Sequence, residues 1–300
     1  MRIFCAVLLL GMSQLALACD VCGSGGGYYA GYMPQFTKNF VGARYRYTYF
    51  QSHYSHSDSK SPIVHDEFRA VEIWGRYYIT QRWQAMAFVP YSFNLRTYSN
   101  EKEQMNGWSD LILTTSYNVL NTQFDTFARQ VNHSFWLGGG VKAPTGKFEL
   151  PTQTTQLTNP NFQLGTGAWD FLLTAQYTIR YKRVGLNADV AYKLNTTNAD
   201  AYHFGNKVSG NISAFTVQRF KQFAFMATGG AYAEHSQSNY SHGDLVYDTG
   251  GNLVNATGGL DLYYKKLAVG VQAQLPVYQD LSNNKLTAKS RFTVQINYLF

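Results

Sequence analysis

The sequence predicts an all-β protein, a transmembrane up-and-down antiparallel β-barrel of about 12 strands. Three observations predict it. Apolar and polar residues alternate with period 2 in segment after segment, which puts alternate side chains on opposite faces of an extended chain. The connections between these segments alternate between long and short, the rhythm of a barrel with short periplasmic turns and longer external loops. The composition agrees: of 300 residues, 16% are aromatic, with 23 Tyr and 20 Phe, and only 14% are charged. Soluble domains carry about 25% charged residues, whereas a barrel needs aromatic girdles at two interfaces and few charges facing lipid.

The amino-terminal residues read as a secretory signal. Arg2 supplies the positive start, Ile3 to Met12 the apolar run and Ala16-Leu17-Ala18 the cleavage site. That run is shorter than the roughly 20 residues of a membrane-spanning helix. The expected organisation is a signal peptide over 1–18, a periplasmic segment over 19–39 and a barrel over 40–300, located in the bacterial outer membrane. Lipid tolerates no unpaired backbone, so strands can cross it only in a closed barrel. Cys5 leaves with the signal. Cys19 and Cys22 form a C-x-x-C pair for which three readings stand: a disulfide, lipidation of Cys19, or half of a metal site, which needs four ligands. No His follows Cys22, which excludes the usual c-type haem attachment.

Alternation between turn signals places strands at 40–51, 66–79, 82–95, 107–119, 133–142, 167–182, 184–195, 206–219, 222–235, 253–264, 267–276 and 287–300. In 184–195, Val184, Leu186, Ala188, Val190, Tyr192 and Leu194 share one face, and Asn187, Asp189, Lys193 and Asn195 the other. In 167–182, Trp169, Phe171, Leu173, Tyr177, Ile179 and Tyr181 oppose Asp170, Thr174, Gln176, Thr178 and Arg180. Long connections are expected at 52–65, 95–106, 143–166, 196–205, 236–252 and 277–286. Short ones fall at Thr80-Gln81, Lys182-Arg183, Phe220-Lys221 and Lys265-Lys266, and 120–132 breaks the rhythm. Tyr45, Tyr47 and Tyr49 share a face, and Tyr77, Tyr78, Trp83, Tyr263 and Tyr264 lie beside short turns, where membrane interfaces would fall.

The last strand carries Phe292, Val294, Ile296, Tyr298 and Phe300 on one face. An amphipathic strand ending on an aromatic residue resembles the closing strand of outer-membrane barrels. That resemblance implies that Ile296, Tyr298 and Phe300 are read by the barrel-assembly machinery. This strand is expected to pair with 40–51 and leave no free edge.

The formal net charge of +7 comes without a Lys/Arg-rich run, so no nucleic-acid partner is expected. Charged residues assigned to the lumen face are Arg44, Arg46, Glu72, Arg76, Asp110, Asp170, Arg180, Asp189, Lys193, Arg219, Glu234 and Asp261. Their mixed signs point to cross-lumen pairs and to a ring of charge that sets selectivity; a polar plug is the competing reading. No cofactor is expected. His53, His56 and His65 with Asp58 and Asp66, and His235 with His242, fit solvated loops better than a metal site. A lipid hydrolase would need Ser and His together, but His133 and Ser134 are adjacent in a strand and face opposite sides. No enzyme is therefore expected. An adhesive barrel with surface-binding loops is the remaining alternative.

The most distinctive segment is Gly138-Gly-Gly-Val-Lys142-Ala-Pro144-Thr-Gly146-Lys147, whose Pro and Gly end a strand and start a turn. It is not a P-loop, because the spacing GxxxxGK[ST] is unmatched. It resembles the G-x-K-x-P-T-G stretch of outer-membrane transporter-like barrels named for the meta-pathway of phenol degradation. Gly107-Trp-Ser-Asp110-Leu and Gly165-Thr-Gly167-Ala-Trp-Asp170 fit the same family. The resemblance covers roughly 40–300 and implies an outer-membrane channel passing small organic or aromatic solutes by diffusion, with outer-membrane lipid as its surroundings. It implies no catalytic residue. Loop 143–166, folded inward, is the expected constriction.

Overall fold

The computed structural model describes residues 38–53, 63–98, 101–122, 130–149 and 161–300. The expected signal peptide, Cys19, Cys22, most of segment 19–39, His56 and Asp58 lie outside the described residues.

The strands of the described residues are β1 (Phe40–His53), β2 (Ile63–Tyr78), β3 (Trp83–Tyr98), β4 (Glu101–Trp108), β5 (Leu111–Asn121), β6 (Val131–Ala143), β7 (Asp170–Tyr181), β8 (Val184–Leu194), β9 (Tyr202–His203), β10 (Lys207–Phe220), β11 (Phe223–Ser236), β12 (Tyr240–Ser241), β13 (Asp244–Leu245), β14 (Gly251–Tyr264), β15 (Leu267–Leu281) and β16 (Leu286–Leu299). Thirteen of them form one sheet that closes through the β2–β3 pairing. β4 pairs with the Tyr91–Tyr98 part of β3 and β5 with its Trp83–Phe88 part. These two are successive halves of one stave, so the wall is a closed barrel of 12 strands.

The terminal strand closes it. β16 pairs antiparallel with β1, from Phe40↔Leu299 to Ser52↔Leu286. Phe292, Val294, Ile296, Tyr298 and Phe300 are exposed on the outside, while Asn297 and Leu299 are buried within. The same division runs through β8, where Val184, Leu186, Val190 and Leu194 are exposed and Asn187 and Lys193 buried. A wall whose bare face is apolar and whose inner face is polar is stable only with hydrocarbon outside it.

Two expected long loops are instead hairpins. β3 runs on to Tyr98 and β4 starts at Glu101, so 95–106 is mostly strand. β15 runs to Leu281 and β16 starts at Leu286, closing 277–286 through Ser282, Asn283 and Asn284 at positive φ. A charged residue, Arg96, hid the first extension just past the expected strand end at 95. Asn94 and Arg96 are buried inside the wall, and Arg96 is held across the strands by Asp66, with Nε 2.7 Å from Oδ1. The connections 196–205 and 236–252 also contain strand, with β9, β12 and β13 forming a three-stranded sheet.

Inside the barrel the apolar side chains gather in two layers. Phe40, Trp74, Met86, Phe88, Val217, Met226 and Leu299 cluster toward the short-turn end. Phe50, Phe68, Leu253, Leu281 and Leu286 cluster toward the long-loop end, together with Phe162.

Candidate functional site

The lumen is the candidate site, and its inward positions follow from strand parity. Asp110, Lys142 and Asp170 illustrate how. Backbone register aligns Ile112 with Lys142 and Lys142 with Asp170, and Asp110 sits in the break between β4 and β5. Lys142 Nζ lies 2.6 Å from Asp110 Oδ2 and 2.6 Å from Asp170 Oδ2, and all three side chains are 0–1% exposed. Thr166 Oγ1 accepts a further hydrogen bond from Nζ. An ammonium group has three donors, and here each has a partner.

The carboxylates in turn hold the loop. Asp110 Oδ1 accepts from the Gly146 N–H at 2.9 Å and Oδ2 from the Thr166 N–H at 2.9 Å. Asp170 Oδ1 accepts from the Thr196 N–H at 3.3 Å. A Cβ at Gly165 would stand 2.3 Å from Asp110 Oδ1, and one at Gly146 2.6 Å from the Leu164 carbonyl oxygen. Only glycine permits these approaches. The three glycine-bearing motifs, far apart in the chain, thus converge on one buried lysine.

Held in this way, the segment after the motif enters the barrel mouth. Asn161, Phe162, Gln163, Leu164 and Thr166 are all buried. The Phe162 ring lies edge-on to Phe68 at 6.0 Å and beneath the Arg96 guanidinium at 4.4 Å. Phe68 and Arg96 are inward residues of β2 and β3, so this part of 143–166 occupies the lumen.

Most of the other lumen charges are paired. Glu72 receives Arg44 Nε at 2.5 Å and Arg46 Nη2 at 3.2 Å, with the Arg44 guanidinium 4.8 Å above the Trp74 ring. Glu234 receives Arg291 at 3.0 Å, Lys207 at 3.3 Å and the Tyr232 hydroxyl at 2.6 Å. Arg76 donates to the Lys38 carbonyl and lies over the Phe40 and Tyr78 rings. Lys193 is buried. Asp189 and Asp261 differ: their carboxylates accept from Asn187 and Asn211, and from Gln295, and have no cation partner among the described residues. Arg180 is half-buried, bonded to the Lys182 carbonyl, and Arg219 is exposed at the short-turn mouth rather than inside the lumen.

Sequence reasoning named Asp110 and Asp170 but missed Lys142, the residue between them. Its inward parity in β6, beside two Asp-bearing strand starts, was the available signal. Lys207, Arg291 and Phe162 were missed as well, because each gains its role only from strands distant in sequence. His133 and Ser134 turn to different partners, His133 Nδ1 to the Tyr177 hydroxyl at 2.6 Å and Ser134 Oγ to Trp136 Nε1 at 2.9 Å.

No family model matches this chain, and no curated protein matches it in sequence. Solved structures do. An outer-membrane channel from Pseudomonas putida F1 superposes with a TM-score of 0.61 at 15% identity, covering 88% of this chain and 96% of that one. The two share a fold. The translocator domain of the autotransporter NalP from Neisseria meningitidis gives 0.44 at 10% identity, covering 90% and 91%. A FadL homologue from Pseudomonas aeruginosa gives 0.42 at 8%, covering 88% and 90%.

Proposed function

We propose that this chain is a channel of the bacterial outer membrane that passes small organic, chiefly aromatic, solutes by diffusion. The observation that carries this reading is the pair of apolar layers inside the lumen, Phe40–Trp74–Phe88 toward one end and Phe50–Phe68–Phe162 toward the other. Most of the charged side chains inside the barrel are held in ion pairs with one another. A hydrated ion would lose water against apolar walls with little to replace it, whereas an aromatic solute loses little and gains ring contacts. The barrel from P. putida with the same fold is an outer-membrane channel, which supports the reading.

In this mechanism residues 161–166 narrow the path from the loop side. Asp189 and Asp261, the lumen carboxylates without a cation partner among the described residues, bias the remaining polar surface against anions. Asp110 and Asp170 act by holding the constriction rather than by meeting solute. Ile296, Tyr298 and Phe300, exposed on the outer face of the closing strand, serve recognition by the assembly machinery.

Flux measurements on the purified protein in liposomes test the proposal. Small aromatic solutes should equilibrate much faster than sugars of equal size, and single-channel ion conductance should be low. Equal permeation of both classes would remove the aromatic specificity, and no flux of either would remove the channel.

A further inference from the structure

The outer wall carries a hollow that the channel reading does not use. Successive rows of outward positions are Tyr77↔Ala85↔Thr115↔Gly139 and Gly75↔Ala87↔Leu113↔Val141. Five of these are small: Gly75, Ala85, Ala87, Thr115 and Gly139. The surrounding outward residues are large, so the small ones form the floor of a depression of about 700 Å³, bounded by Tyr77, Leu113 and Phe300. Elsewhere the outward face is studded with exposed Leu, Ile, Val and aromatic side chains. A concave apolar volume of this size is in the range of ligand sites, about 300–1,000 Å³.

Charge identifies the occupant. The hollow lies just inside the turn between β2 and β3, where Arg82 is exposed, as is Lys38 just before β1. Round the same rim, Lys182, Arg183, Lys221, Lys265 and Lys266 are exposed. Among the described residues no acidic side chain lies in these turns or on the outward face of the adjoining strand ends. The exposed acids Glu101, Glu103, Glu149, Asp200 and Asp244 lie toward the opposite end. The lysines also sit at interface depth: Lys182 Nζ is 5.0 Å from the Tyr181 ring and Lys266 Nζ 5.7 Å from the Tyr298 ring, and both tyrosines are exposed on the lipid side. Cations set against a girdle of aromatics face headgroup phosphates.

We propose that the barrel binds an anionic phospholipid of the leaflet at its short-turn end, with an acyl chain in the hollow and the headgroup phosphate against Arg82 and Lys38. The other turn cations attract the same lipid class less specifically around the rim. The site opens on the lipid side of the wall, and Phe40, Arg76 and Met86, which also line it, are the buried, inward residues of these strands.

The test reconstitutes the purified full-length protein in vesicles of phosphatidylcholine with a minority of phosphatidylglycerol, then extracts it gently and counts retained lipids by native mass spectrometry. Phosphatidylglycerol should be retained severalfold above its share of the bilayer. Ala85→Leu/Ala87→Leu, which fills the hollow, should reduce the enrichment toward the bulk ratio, and Lys38→Gln/Arg82→Gln should do the same. Solute flux serves as the folding control and should stay at the parent value in both variants. Retention at the bulk ratio in the parent protein would overturn the proposal, as would enrichment unchanged by the filled hollow. A parent protein that runs as a dimer, with the dimer lost on filling the hollow, would overturn it too, because a second copy would then be the occupant.

Discussion

Lys142 Nζ lies 2.6 Å from Asp170 Oδ2, and neither side chain is exposed to solvent. With Asp110 on its other side, this lysine is the cation shared by two buried carboxylates. Removing it leaves buried charge uncompensated, at a cost of about 3–5 kcal/mol. Lys142→Met should therefore lower barrel stability by about that much in a urea-induced unfolding titration, more than Lys147→Met, whose side chain is largely exposed. Restoring charge balance with Asp170→Asn in the Lys142→Met background should recover part of the loss. No recovery would show that the pair contributes by packing alone.

The same cluster predicts a change in permeation. Phe162 is buried against Phe68 and Arg96, and truncating a buried Phe costs about 3–5 kcal/mol. Phe162→Ala should loosen the segment within the mouth and raise both single-channel conductance and aromatic flux. Conductance that stayed at the parent value would place the constriction elsewhere.

Outside the membrane, Asp248 links two external connections. Its carboxylate accepts from Asn283 Nδ2 and Lys285 Nζ, each at 2.6 Å. Burial pushes this carboxyl up, but the hydrogen bonds from Lys285 and Asn283 and the charge of Lys285 outweigh it and hold it below the usual carboxylate range. A carboxyl depressed on folding adds stability that is complete above its unfolded value, about 3.9. That stability is lost as pH falls through the lower folded value. Hydrogen exchange in 246–250 should accordingly rise on acidification into that window in the parent protein, and Asp248→Asn should show raised exchange already at neutral pH with no further acid-dependent step.

Neighbouring residues in β10 give a contrast between the faces. Ile212 is exposed on the lipid side and Ser213 is buried on the lumen side. Midway along the strand, Ile212→Arg should destabilise the folded barrel by about 2–4 kcal/mol, the cost of an arginine near the bilayer midplane. Ser213→Arg should act mainly on flux, by placing a cation near Asp189. Equal stability losses for the two variants would contradict the assigned faces.

Much of the fold was legible because its signals are local. Alternation in 184–195 assigns each residue of β8 to its face without knowledge of any other strand. The first of the two hairpins read as loops failed for a related reason: Arg96 looks like a loop residue until Asp66 arrives from β2 to hold it. Apart from Arg219, the lumen charges were legible as inward-facing and as a mixture of signs that would pair, but not which residue meets which. Glu234 meets Lys207 from β10 and Arg291 from β16, residues 27 and 57 positions away.

By itself the sequence determined the barrel, the sense of its two faces and the closure of β16 on β1, because period-2 patterning and the lengths of turns depend only on neighbours in the chain. The tertiary structure alone decided that Asp110, Lys142 and Asp170 meet, that Phe162 enters the mouth and that small residues on four strands make one hollow. Those contacts depend on the register between strands, in which a shift of two residues keeps every face and changes every partner.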